Sequence, residues 1–149
     1  RGNPGHAGRR STLLTDVVVD ASVALAWILS DEESTSALQL RELAEANPQM
    51  VLFVPPNFWL EVANVLWVAV RRGRLGEADA LSALDALKEL GIDVWTVEPK
   101  RCLALSLEHQ LAVYDCAYLS VALQRGSTLW TLDGSLAEAA RQAGIAVAP

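Results

Sequence analysis

The stretch from Val17 to Trp27, VVVDASVALAW, limits what this chain can fold into more than any other. Three consecutive β-branched valines suit a strand buried on both faces. The run stops at a carboxylate, Asp20, and the residues after it read as a helix. In open parallel α/β sheets, ligands bind outside the carboxyl ends of the strands, where Asp20 is expected. Three further acids lie far off in sequence but in similarly apolar surroundings. They are Glu61 in NFWLEVANVLW, Asp115 in YDCAYLSVAL and Asp133 in LWTLDGSL.

The remaining chain alternates the two periodicities. Strands are expected at Asp16 to Asp20, Val51 to Val54, Ile92 to Val97, Thr128 to Leu132 and, briefly, Ile145 to Val147. Helices are expected at 21–29, 34–46, 57–72, 76–90, 100–111, 115–124 and 135–142, with Gly73, Gly91 and Gly126 at three of their ends. The helix after Pro56 carries Phe58, Trp59, Leu60, Val62, Val65, Leu66, Trp67, Val68 and Val70. It is apolar nearly all round, and such a helix is expected to be buried. All five tryptophans fall in apolar runs and read as core. Strands separated by helices imply right-handed crossovers and a parallel sheet covered on both sides. A length of 149 residues suits one domain. The expectation is an α/β fold: a three-layer α/β/α sandwich on a mostly parallel sheet of four to five strands. It spans residues 16–149, with residues 1–15 as a flexible tail.

Charge and cysteine content narrow the function. The chain has 12 basic and 18 acidic residues, net −6, and Arg1, Arg9 and Arg10 precede the first acid. That balance argues against broad coating of nucleic acid, leaves room for a local basic patch, and fits the binding of divalent cations. Arg71, Arg72 and Arg74 are the best basic candidates for contacting RNA, although a solvated helix end explains them equally well. Cys102 and Cys116 have no C-x-x-C spacing, so free thiols in a reducing cytoplasm are expected. No apolar run approaches the roughly 18 residues of a membrane span. The Gly-, Pro- and Arg-rich start lacks the apolar stretch of a secretory signal. Phosphate-loop, nucleophile-elbow and zinc-helix motifs are missing. His6 and His109 are expected to be surface or incidental residues.

The four acids have ordinary explanations. Asp20, Asp115 and Asp133 stand near expected helix starts, where Asp is a preferred cap, and Glu61 could pair with an arginine. Other polar residues accompany them, however. Asn57 and Asn64 share the helix face of Glu61, Thr131 points to the same side of its strand as Asp133, and Ser22 can face back toward Asp20. If the acids converge, they cannot all ionise without counter-charge. Oxygen ligands without His or Cys select Mg²⁺ or Mn²⁺. One or two such ions can clamp a phosphodiester and activate water for its hydrolysis.

Four blocks, VVVDASVALAWIL, VPPNFWLEVANVLW, LAVYDCAYLSVAL and LWTLDGSLAEAARQAGI, resemble in order and spacing those of a PIN domain. More narrowly, they resemble a VapC-type toxin ribonuclease of a type II toxin–antitoxin pair. The resemblance covers Val17 to Val147 and maps the family's four acids onto Asp20, Glu61, Asp115 and Asp133. Ser22 and Thr131 match its hydroxyl positions, and Asn64 matches the polar residue one turn after the glutamate. It implies an acidic pocket at the carboxyl ends of parallel strands and metal-dependent cleavage of RNA. It also implies a homodimer, and a heterotetramer or larger assembly with a cognate VapB-type antitoxin that blocks the pocket, commonly with a basic side chain. Some family members carry a further acid shortly after the fourth, but here Gly134, Ser135 and Leu136 follow Asp133. A second metal is therefore expected to be weak or to need substrate. Two alternatives use the same residues: a non-catalytic metal-binding or interaction module, and a housekeeping RNA-processing nuclease without antitoxin.

Overall fold

The computed structural model describes residues 16–32 and 34–148; the expected tail at 1–15 lies outside them. The chain order is β1 (Asp16–Val19), α1 (Ala21–Ile28), α2 (Thr35–Ala46), β2 (Val51–Val54), α3 (Phe58–Arg71) and α4 (Glu77–Lys88). It continues with β3 (Ile92–Val94), α5 (Pro99–His109), α6 (Val113–Arg125), β4 (Thr128–Trp130), α7 (Gly134–Gln142) and β5 (Val147–Ala148). The strands form one all-parallel sheet of order β3-β2-β1-β4-β5. β1 is central, and its Val17, Val18 and Val19 are buried, as a strand covered on both faces requires.

Right-handed crossovers assign the layers. The chain steps from β1 through β2 to β3 in one direction, which puts α1 to α4 on one face, where α1 packs on α2, α3 and α4. It then returns past β1 to β4 and β5, which puts α5, α6 and α7 on the other face, with α6 lying across β1, β2 and β4. The result is a three-layer α/β/α sandwich. The direction of winding reverses between β1 and β4, so the crevice of the sheet opens at their carboxyl ends.

Local chemistry fixes several element ends. Ser34 caps α2, its hydroxyl accepting from the Ala37 amide. Glu98 caps α5 by accepting from the Lys100 and Arg101 amides, with Pro99 at the first helical position. Gly126 ends α6 at φ +61°, a backbone conformation that side chains with a Cβ rarely adopt.

Two expectations fail on α3. Leu60 is 76% and Trp67 54% exposed, so the helix is neither buried all round nor are all five tryptophans core. The helix packs on α1 and α4, and its third side faces outward. The Arg71 guanidinium, 4.8 Å from the Trp67 ring centroid, covers part of that apolar surface. His6 lies outside the described residues, and His109 is not at the surface: its side chain is only 6% exposed, where the end of α5 lies beside α7 in a cavity lined by Gln110, Ser135 and Gln142.

Candidate active site

Four helices present an acid at their amino-terminal ends. Asp20 is the residue before α1, Glu61 and Asp115 lie in the first turns of α3 and α6, and Asp133 is the residue before α7. A helix amino terminus carries roughly half a positive charge from its aligned peptide dipoles, which favours carboxylates within its first turn. This placement answers how four like charges can share a pocket. Only Asp133 is a true cap: its Oδ1 accepts from the Ser135 amide at 2.9 Å and the Leu136 amide at 3.1 Å. Asp20 makes no capping bond to α1. Asp115 lies inside α6, whose flanking residue is Ala112. Capping therefore accounts for one acid of the three.

Asp20 is 8% exposed at the carboxyl end of β1. Its Oδ2 accepts from the Ser22 hydroxyl and from the Thr131 hydroxyl, both at 2.8 Å. Each hydroxyl in turn accepts from a backbone amide beyond β4, Ser22 from Leu132 at 3.1 Å and Thr131 from Asp133 at 3.0 Å. The Asp20 amide donates to the Trp130 carbonyl at 3.0 Å. These bonds stitch the end of β1 to the end of β4 and set Asp20 beside Asp133. Burial pushes the Asp20 carboxyl above the usual range, the two hydroxyls draw it back, and the Asp133 charge raises it further.

Glu61 is held from both sides by neutral donors. The Asn57 amide donates to Oε1 at 2.9 Å, and the Tyr118 phenol donates to Oε2 at 2.6 Å. No Lys or Arg pairs with Glu61 among the described residues, so the ion-pair explanation falls away. Asn57 also reaches the Tyr114 carbonyl at 3.4 Å, which brings the amino ends of α3 and α6 together although they cover opposite faces of the sheet. Asn64 is exposed; among the described residues the amide that meets Glu61 is that of Asn57.

Asp115 ties the set together. Its carboxyl is raised first by burial and then by the charges of Asp133, Asp20 and Glu61. Asp115 therefore feels the charge of the other three acids. Arg71, Arg72 and Arg74 lie at the other end of α3, about 15 Å from Glu61 along the helix axis. Arg74 there pairs with Asp31 at 2.6 Å.

A family model, the PIN domain, matches residues 17–142. The chain belongs to the PIN domain family. Ribonuclease VapC3 of Pyrobaculum aerophilum is 37% identical over 126 residues, covering 82% of this chain and 92% of that protein. Ribonuclease VapC9 of Mycobacterium tuberculosis is 32% identical over 134 residues, covering 89% and 98%. Among solved structures, PAE2754 from Pyrobaculum aerophilum superposes with a TM-score of 0.71 at 21% identity, covering 98% of this chain and 92% of that one. VapBC2 from Rickettsia felis, solved bound to a DNA fragment from its promoter, gives a TM-score of 0.62 at 13% identity, covering 89% and 97%.

The donors in this PIN domain pocket are carboxylates and hydroxyls, the chemistry of a hard-cation site. Among the described residues no three acids are spaced as the donors of one complete metal shell. An arrangement of one or two carboxylates per ion, with water filling the remaining positions, is the usual manner of binding Mg²⁺. Tyr118 is the site residue that the sequence left unmarked. It lies three residues after Asp115, on the same helix face, and that spacing was the available signal.

Proposed function

We propose that this PIN domain is a metal-dependent endoribonuclease toxin restrained by a cognate VapB-type antitoxin. The observation that carries the proposal is the convergence of Asp20, Glu61, Asp115 and Asp133 from four helix amino ends, with Asp115 driven toward protonation by burial and by the other three. The names of its VapC relatives support RNA as the substrate.

The four acids would hold one or two Mg²⁺ or Mn²⁺ ions. When bound, the cation supplies Lewis-acid activation of water and offsets charge on the phosphodiester. The protein's share is preorganisation. Ser22 and Thr131 fix one oxygen of Asp20, the α7 amides fix one oxygen of Asp133, and the four helix termini lower the cost of gathering the charges. Arg71, Arg72 and Arg74 stand far enough along α3 that any RNA contact they make involves nucleotides away from the bond being cut.

The negative field of the pocket suits a basic antitoxin side chain as its plug. The Rickettsia felis VapBC2 complex supports such a partner, with a homodimer and a heterotetramer or larger assembly as the expected states. The free, buried Cys102 and Cys116 support action in the cytoplasm.

The test is cleavage of a mixed pool of structured RNAs by wild type, Asp20→Asn and Asp115→Asn with Mg²⁺, Mn²⁺ or EDTA. Wild type should cut only with metal, and each variant should lose at least about 100-fold in rate, as removal of a group acting in the transition state does. Equal cutting by all three proteins would refute the site. Metal binding by wild type with no cutting of any RNA would favour a non-catalytic module of the same fold.

A further inference from the structure

Tyr118 is 0% exposed, yet its phenol is spent on a group at the mouth of the sheet. Residues 57 positions apart, on helices covering opposite faces, meet in its 2.6 Å bond to Glu61. A buried phenol needs a hydrogen-bond partner, and that need alone would be met by any acceptor. The surrounding geometry asks for more. Both oxygens of Glu61 accept, one from Asn57 and one from Tyr118, so the plane of the carboxylate is fixed and it cannot rotate about its last torsion. The donor on Oε2 also comes from the helix that carries Asp115, one turn earlier on the same face.

We infer that Tyr118 is a positioning residue: its phenol, with the Asn57 amide, registers the carboxylate of Glu61 against Asp115, so that the two acids meet a divalent cation in one fixed relation. The inference rests on the proposed metal-dependent function, which assigns Glu61 and Asp115 to the cation. α6 acts as the ruler. One rigid helix holds Asp115 directly and Glu61 through the phenol, bridging the two layers above the carboxyl ends of the strands. Without the hydroxyl, Asn57 still holds Oε1, but the carboxylate can swing about that single bond. Outer groups that orient metal ligands typically contribute 10–100-fold in affinity or activity.

The experiment titrates Mn²⁺ into the full chain by calorimetry and measures RNA cleavage in parallel. Wild type is compared with Tyr118→Phe, Asn57→Ala, Glu61→Gln and the Tyr118→Phe/Glu61→Gln double variant. Near-UV circular dichroism certifies that each is folded. Tyr118→Phe keeps the buried ring and should weaken Mn²⁺ binding about tenfold, with kcat falling more than KM for RNA. Asn57→Ala should shift both in the same direction. In the Glu61→Gln background, loss of the hydroxyl should change Mn²⁺ affinity less than about twofold, because the route through Glu61 is already cut. Wild-type affinity in folded Tyr118→Phe would overturn the inference and leave the proposed function standing. So would an equal loss with and without Glu61. No Mn²⁺ binding by wild type would instead overturn the metal-dependent function, and this inference with it.

Discussion

Asp115 states the residue-scale problem in its sharpest form. A carboxyl that is partly buried and faces three others is held above its ordinary value, and Asp20 shares that direction through its deeper burial. Both groups have folded-state values above their unfolded ones. Between the two values the native state binds more protons than the unfolded chain, so stability is present at low pH and lost as pH rises through the folded value. Metal-free protein should therefore lose thermal stability as pH climbs from the ordinary carboxylate value through the raised folded-state values of Asp20 and Asp115. Asp115→Asn should raise the metal-free melting temperature at neutral pH and flatten that slope, while abolishing cleavage. Added Mg²⁺ should stabilise wild type increasingly as pH rises, because binding must displace the extra protons. Differential scanning calorimetry from pH 4 to 8, with and without Mg²⁺, checks all three. A melting temperature for Asp115→Asn below that of wild type at neutral pH would contradict the account. The sequence exposed the acids because a charge in an apolar run is conspicuous. It concealed Tyr118, since a tyrosine within an apolar helix reads as core and the ring does belong to the core. Only its oxygen serves the site.

Among the elements, helix amino ends do most of the organising. Sequence patterns placed the seven helices and the strands to within a few residues, because periodicity and end signals such as Ser34, Pro99 and Gly126 act locally. They misjudged α3, where an apolar sequence all round says nothing about how many neighbours are present to cover it. With α1 and α4 on two sides, Leu60 and Trp67 face out. They also left open whether Asp133 caps or binds. The structure makes it a cap through Oδ1, and the two roles can be separated. Asn is as good a cap as Asp. Asp133→Asn should hold stability within about 0.5 kcal/mol in urea unfolding while losing activity. Asp133→Ala should lose activity and about 1 kcal/mol of stability as well. Equal stability losses in both would mean that charge at the α7 terminus, and not the cap bond, is the stabilising part.

At the scale of the whole molecule, strand order explains why residues so far apart in sequence meet. The winding reverses between β1 and β4, which opens a crevice at their carboxyl ends and brings Asp20 and Asp133 to its two banks. The two helical layers then lean α3 and α6 over it. A cluster of charged and aromatic contacts lies at the opposite end of α6. There the Arg125 guanidinium pairs with Asp16 at 2.5 Å and lies 4.0 Å from the Phe53 ring centroid and 4.5 Å from that of Trp95. This latch ties the start of β1 to the end of α6, about 15 Å along the helix from Asp115. Arg125→Ala removes a partly buried charge-assisted bond and two cation–π contacts and strands Asp16. It should cost about 2–3 kcal/mol, seen as a lower urea midpoint with an unchanged m-value. Effects at separated sites add, so Mn²⁺ affinity and cleavage rate, measured where the variant is fully folded, should match wild type. Weakened Mn²⁺ binding in folded Arg125→Ala would mean that α6 transmits strain along its length, and that the latch, as well as Tyr118, sets the acid pocket.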